Sequence, residues 1–348
     1  MGDLQPLATT HMTFLVGHEN NLALLERTVR EGRPAHAYLF TGPDGIGKKL
    51  VAVKYACLLN CAEPGEDPEG SCHVCRRIIA EKHPDVTIER PEKGMIRIDR
   101  IRDLQAFFKY APVEGRHRVT IIDDAHLMNR SAQNALLKTL EEPPPGRILI
   151  LISARPSLLL PTVRSRSRRM RFNPMPFSPL AELLEQKGLP VEKARTLAAM
   201  SSGSVARALE MAASSFLDLR EQVVSALTDP MGKRLSGLLE LSATISVDRQ
   251  TAVEAIEIAS TWIRDLLLEQ TGFSLSGRVH GDFLDRITSG AQHHNSRQLL
   301  SVYDELVKAS SLIEADINVN RNLVTDVMFL RIARILAGPT LGVATASR

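Results

Sequence analysis

Apolar residues in the first half of the chain come in two rhythms, short unbroken runs and longer segments with helical spacing, and the two alternate. The runs are Ala37 to Phe40, the stretch His83 to Ile88, Arg118 to Asp124 and Ile148 to Ser153. Each is the length of a strand buried on both faces. Between them, Gly17 to Arg33 repeats Leu22, Leu25 and Val29, and Leu50 to Leu59 follows a glycine-rich turn. Ile98 to Tyr110 then presents Ile98, Ile101, Leu104, Phe107 and Phe108, and Ser131 to Glu142 presents Ala132, Ala135, Leu136 and Leu140. Those spacings make helix faces, the last with Ser131 as its expected N-cap and a stop at Pro143-Pro144-Pro145. Strands alternating with helices predict a parallel sheet covered by helices. After the Pro174, Pro176 and Pro179 cluster the strand rhythm ends, and from Leu180 onward only helical spacing remains, in short segments to Ala213 and longer ones from Phe216 to Leu336.

A chain of 348 residues exceeds what one core usually organises, so the change of rhythm reads as domain structure. The expected division is an α/β domain over 1–173, a small helical domain over 174–214, an all-α domain over 215–338 and a disordered tail over 339–348. A net charge of +3 argues against a dedicated basic nucleic-acid surface and leaves room for local patches. The longest apolar runs fall far short of the ~20 residues of a membrane span, and Met1 to Thr13 lacks the pattern of a leader, so a cytosolic protein without a membrane partner is expected.

The glycine-rich turn carries the first chemistry. Thr41-Gly42-Pro43-Asp44-Gly45-Ile46-Gly47-Lys48-Lys49 follows a strand and opens a helix, as in a P-loop, where backbone N–H groups and a lysine receive phosphates. The hydroxyl that should follow the lysine to hold magnesium is replaced by Lys49, and an ammonium has no lone pair to offer a metal. The strand at Arg118 ends in Asp123-Asp124, where an aspartate usually holds magnesium and a following glutamate polarises water. The second acid here is one methylene too short for that reach. Gly42, Gly45, Gly47, Lys48, Lys49, Asp123, Asp124 and Ser153 therefore outline a degenerate nucleotide site, with ATP and magnesium bound weakly or not at all.

All four cysteines, Cys57, Cys61, Cys72 and Cys75, fall in one short segment, an arrangement that favours metal over disulfides in a reducing compartment. Cys57 and Cys61 share a helix face and Cys72-x-x-Cys75 has a chelating spacing, so four thiolates around one zinc are expected over 57–75. His73 and His83 are substitute ligands. Trp262 reads as a packing residue, and His293-His294 as a solvated pair.

Gly17-His18, Pro34-Ala35-His36-Ala37, the glycine loop, the cysteines, Ile121 to His126, and above all Asn134 to Pro144 together resemble the clamp-loader branch of the AAA+ ATPases. Thr162 to Ser167, Gly203-Ser204 and Asn320 to Asp326 extend the likeness. It is dense over the first two domains and sparse in the third.

The resemblance implies a P-loop (AAA+) domain, a helical lid and a helical collar, in a pentameric hetero-oligomer that opens the sliding clamp and places it on primer-template DNA for a DNA polymerase. Its other members would be motor (gamma/tau) and delta subunits. The family's Ser-Arg-Cys motif stands here as Ser165-Arg166-Ser167, which makes Arg166 an arginine finger for a neighbour's ATP; on charge alone the same run reads as a solvated or DNA-gripping face. The hydrolysing relatives carry a sensor arginine at the position aligned with Ala206, and Arg207 lies one step round the helix. The family's last cysteine is matched by Ile78, so Cys57 would enter from one helical turn before the family's first. A non-motor subunit with no ATPase of its own is the expectation.

Overall fold

The computed structural model describes residues 17–62, 72–228, 231–272, 278–314 and 320–337; the stretch read for a leader and the tail after Gly338 lie outside them. The chain divides into two compact units. One takes the described residues through Leu180 together with Ser202–Arg207, the other Ala181–Ser201 and the described residues from Ala208 on.

In the first unit the runs do become strands: β1 (Ala37–Thr41), β2 (Val86–Glu89), β3 (Arg118–Ile122) and β4 (Arg147–Ser153). A fifth, β5 (Arg168–Arg171), escaped the reading because three of its four residues are arginines and only Met170 is buried. All pair in parallel, in the order β2-β3-β4-β1-β5. The sheet is covered on both faces, which explains the unbroken apolar runs. Tyr38, Phe40, Ile121, Ile148, Ile150 and Ile152 face a core closed by α1 (Glu19–Arg30), α2 (Lys48–Asn60) and α3 (His73–Ile79). Leu39, Ile122, Leu149 and Leu151 face the other, closed by α4 (Ile98–Lys109), α5 (Arg130–Glu141) and the short α6 (Pro161–Ser165). Neighbours along a strand thus serve opposite layers.

The N-cap of α5 is Asn129, not Ser131: the Asn129 carboxamide oxygen accepts from the Ala132 N–H at 2.8 Å. Both residue types cap well, and the helix begins two residues earlier than its apolar face suggests.

The second unit is helical throughout its described residues. α7 (Phe177–Gln186) and α9 (Val205–Ala213) each run from one unit into the other, and α8 (Val191–Met200) belongs to the second. Then follow α10 (Phe216–Thr228), α11 (Met231–Ile245), α12 (Arg249–Gln270), α13 (Leu284–His293), α14 (Ser296–Glu314) and α15 (Arg321–Ala337). Trp262 is buried on α12, edge-on to His280 and Phe283, the packing role expected of it. His293 ends α13 with Nδ1 2.6 Å from the Ser289 carbonyl.

Candidate functional site

The sheet delivers the ends of β1, β3 and β4 to one edge, where the glycine loop leaves β1 and α2 begins with Gly47 as its left-handed cap. Two glycines there are obligatory. A Cβ at Gly42 would stand 2.3 Å from the Phe172 carbonyl oxygen, and one at Gly45 would stand 2.2 Å from Ser204 Oγ; both positions have positive φ. The loop is also pinned from outside, by His18 Nε2 at 2.5 Å from the Ile46 carbonyl and by the Ala206 N–H donating to the Gly45 carbonyl at 3.3 Å. The Cβ of Ala206 lies beside Gly45, so position 206 brings a methyl group to the loop where a sensor arginine would bring charge.

The two lysines turn inward. Lys48 is buried, and its Nζ donates to the Gly42 carbonyl at 2.8 Å and to the Pro43 carbonyl, with Asp44 3.7 Å away. Burial lowers its pKa, against the pull of Asp44, Asp124 and Asp123. Lys49 Nζ lies 3.7 Å from Asp123 Oδ2 and 4.0 Å from Glu81 Oε1, and Glu81 also binds Arg90. The ammonium thus stands against the Asp123 carboxylate at the end of β3. Asp124, in a left-handed conformation, has its pKa raised by burial and then by Asp123 beside it. Ser153 Oγ is buried at the end of β4 with no hydrogen-bond partner among the described residues, next to Thr41 across the β1–β4 register. All eight expected nucleotide-site residues thus come to this edge.

Arg166 caps the end of α6, half-buried beside the exposed Ser165. Ser167, where the family's motif has cysteine, is buried with its hydroxyl donating to the Val163 carbonyl at 3.0 Å.

The cysteines lie at the other end of α2, and all four are buried and reduced. Cys61 caps the end of α2 and Cys72 the start of α3, where its sulfur accepts from the Cys75 N–H at 3.4 Å. The sulfurs of Cys61, Cys72 and Cys75 lie within 4.8 Å of one another. Cys57 stands outside that trio, its thiol 3.9 Å from the Cys75 carbonyl, and neither His73 nor His83 joins it. His83 instead accepts the Asp85 N–H at Nδ1. Tetrahedral zinc with ~2.3 Å bonds needs sulfurs about 3.8 Å apart. The Cys61–Cys72 separation is 3.8 Å.

Sequence reasoning missed three residues here. Glu81, which shares Lys49 with Asp123, follows a helix, α3, that was not foreseen. His18 and Glu141 lay inside the quoted motifs, but spacing alone gave no sign that one would hold the glycine loop and the other Arg166.

Comparison with known proteins matches this arrangement to one family. The family model described as "DNA polymerase III, delta subunit" matches residues 17–176, and its C-terminal counterpart matches residues 214–334. DNA polymerase III subunit delta' of Pseudomonas aeruginosa is 30% identical over 315 residues, which cover 88% of this chain and 93% of that one. DNA polymerase III subunit gamma/tau of Mycobacterium tuberculosis is 38% identical over 186 residues, 52% of this chain but 32% of that protein's length. A solved DNA polymerase III, gamma subunit-related protein from Thermotoga maritima superposes with a TM-score of 0.50 at 19% identity, covering 90% of this chain and 99% of its own, a likeness of fold. With a relative matched over nearly all of its length and both family segments in agreement, the chain belongs to the delta' family of DNA polymerase III clamp-loader subunits.

Proposed function

We propose that this chain is a subunit of a hetero-oligomeric clamp loader that hydrolyses no ATP itself and lends Arg166 to the ATP site of a neighbouring motor subunit. The observation that carries the first half is the Lys49–Asp123 ion pair. A metal-bound phosphate needs that carboxylate and a hydroxyl at position 49; here an ammonium replaces the hydroxyl and pairs with the carboxylate. Lys48, satisfied by the loop's own carbonyls, would have to break those bonds to meet a phosphate. Support for the second half is chemical. A permanently charged planar guanidinium on an exposed turn suits the charge that develops on a transferring phosphoryl group. The motor and delta subunits, the sliding clamp and primer-template DNA are the partners this reading implies, in a pentamer.

A zinc ion fits the cysteine trio, with Cys57 one helical turn away as the fourth thiolate. Its role would be structural, joining the end of α2 to the start of α3.

The likeness to gamma/tau favours a second reading, in which the chain is itself a motor. One experiment separates them. Purified without chelator, the isolated chain should carry one equivalent of zinc, retain no labelled ATP at micromolar concentration with magnesium, and show no turnover. Micromolar binding with turnover makes it a motor, and zinc far below one equivalent removes the metal.

A further inference from the structure

Arg166 is held before any partner arrives. Its Nη2 lies 2.8 Å from Oε1 of Glu141, the last residue of α5, and its Nη1 donates to the Thr162 carbonyl at 3.2 Å. Ser165 Oγ donates to that same carbonyl, also at 3.2 Å, so the turn beneath the arginine is fixed as well.

The same helix grips the approach to α6 at a second point. Gln133 is buried; its Oε1 accepts from the Leu160 N–H at 2.7 Å, and its Nε2 donates to the carbonyls of Met128 at 3.0 Å and Leu158 at 3.3 Å. Gln133 therefore sets the backbone from which α6 starts, and about two turns further along α5 Glu141 sets the side chain at which α6 ends.

We infer that Glu141 is a positioning residue for Arg166, an inference that rests on the finger reading above. Two of the five N–H donors of the guanidinium are engaged by Glu141 and Thr162, which leaves three for an oxyanion. Both side chains of the pair keep part of their surface in water, which screens the attraction, so the carboxylate cancels only part of the positive charge. What it removes is rotamer freedom, which a long arginine would otherwise lose on meeting the phosphate. The end of a helix, where carbonyls project, adds to the pull on the cation. Glu141 thus acts on catalysis through another residue and touches no nucleotide.

The test is ATP hydrolysis by the reconstituted complex in the presence of sliding clamp and primed DNA, with wild-type chain, Glu141→Gln, Glu141→Asp, Arg166→Ala and the Glu141→Gln/Arg166→Ala double variant. Glu141→Gln should lower kcat about two- to fivefold, the scale of an exposed ion pair, with the KM for ATP unchanged. Glu141→Asp should recover part of that loss, and the double variant should match Arg166→Ala alone. An unmoved thermal midpoint for Glu141→Gln shows that the fold is intact. If Arg166→Ala leaves turnover untouched, the finger reading fails and this one with it. If Arg166→Ala is defective while Glu141→Gln is silent, changes only KM, or adds to Arg166→Ala, the finger stands and the positioning role is overturned.

Discussion

Lys48 and Arg166 are both cations of one α/β unit, Lys48 at the sheet edge where β1 ends and Arg166 at the edge where β5 begins, and they are treated in opposite ways. Lys48 is buried among its own loop's carbonyls, whereas Arg166 stands on an exposed turn with one carboxylate and one carbonyl for company. A buried ammonium with partners on several sides is part of the structure, because withdrawing it takes away the donor of the Gly42 and Pro43 carbonyls. A part-exposed guanidinium with N–H donors to spare can receive a phosphate while it keeps its carboxylate. The difference teaches where the fold keeps its positive charge for itself and where it leaves one within reach of solvent.

That contrast can be pressed in several ways. The largest effect should come from Arg166→Lys, which keeps the charge and loses the planar fork. Most of the ~10³-fold that a finger can supply to a neighbour's turnover should go with it, measured as ATPase of the assembled complex. Retained turnover would mean that charge alone sufficed.

Next comes acid sensitivity in the second unit, where burial is again decisive. His280 is fully buried between Arg220, which donates to its Nδ1 at 3.1 Å, and Thr261, 3.0 Å from its Nε2. Burial, then Arg220, pushes its pKa down to about 3. Its ordinary value is near 6.5, so the unfolded chain takes up the proton first as pH falls. The stability it contributes is whole above pH ~6.5 and drains as pH drops toward 3, with about 3 kcal/mol gone by pH 4.5. Urea unfolding at pH 7 and pH 4.5 measures the loss, and His280→Gln should flatten it.

Smallest is Lys48→Ala. In a working P-loop this substitution mainly destroys nucleotide binding. Here it should cost about 1–3 kcal/mol of folding stability, because the Gly42 and Pro43 carbonyls lose their donor, while any residual nucleotide signal stays where it was. A stable variant that has lost ATP affinity would erase the contrast with Arg166.

The sheet was legible because burial on two faces leaves mostly apolar residues in β1, β3 and β4. β5 was not, since an edge strand can carry arginines wherever it meets solvent, and Arg168-Arg169 gives no apolar run to read. α3 was hidden for another reason: its residues were read as metal ligands, and its N-cap is a cysteine, a residue type absent from the usual capping set. The glycine loop and both acids were readable from their order along the chain. Their pairing was not, because the Lys49–Asp123 and Arg166–Glu141 contacts join residues far apart in sequence, and only the tertiary fold sets which carboxylate each cation meets.

The arginines of β5 have an effect at the rim of the sheet as well. Among the described residues β5 pairs with β1 alone, so it is an edge strand onto which a stray strand could zip; the Arg171 carbonyl there already accepts from the Asn21 side chain, and Arg168, Arg169 and Arg171 line the strand with like charge. A second copy of the chain approaching edge to edge would meet its own repulsion before it could form a ladder, which guards the open border of the sheet against clumping.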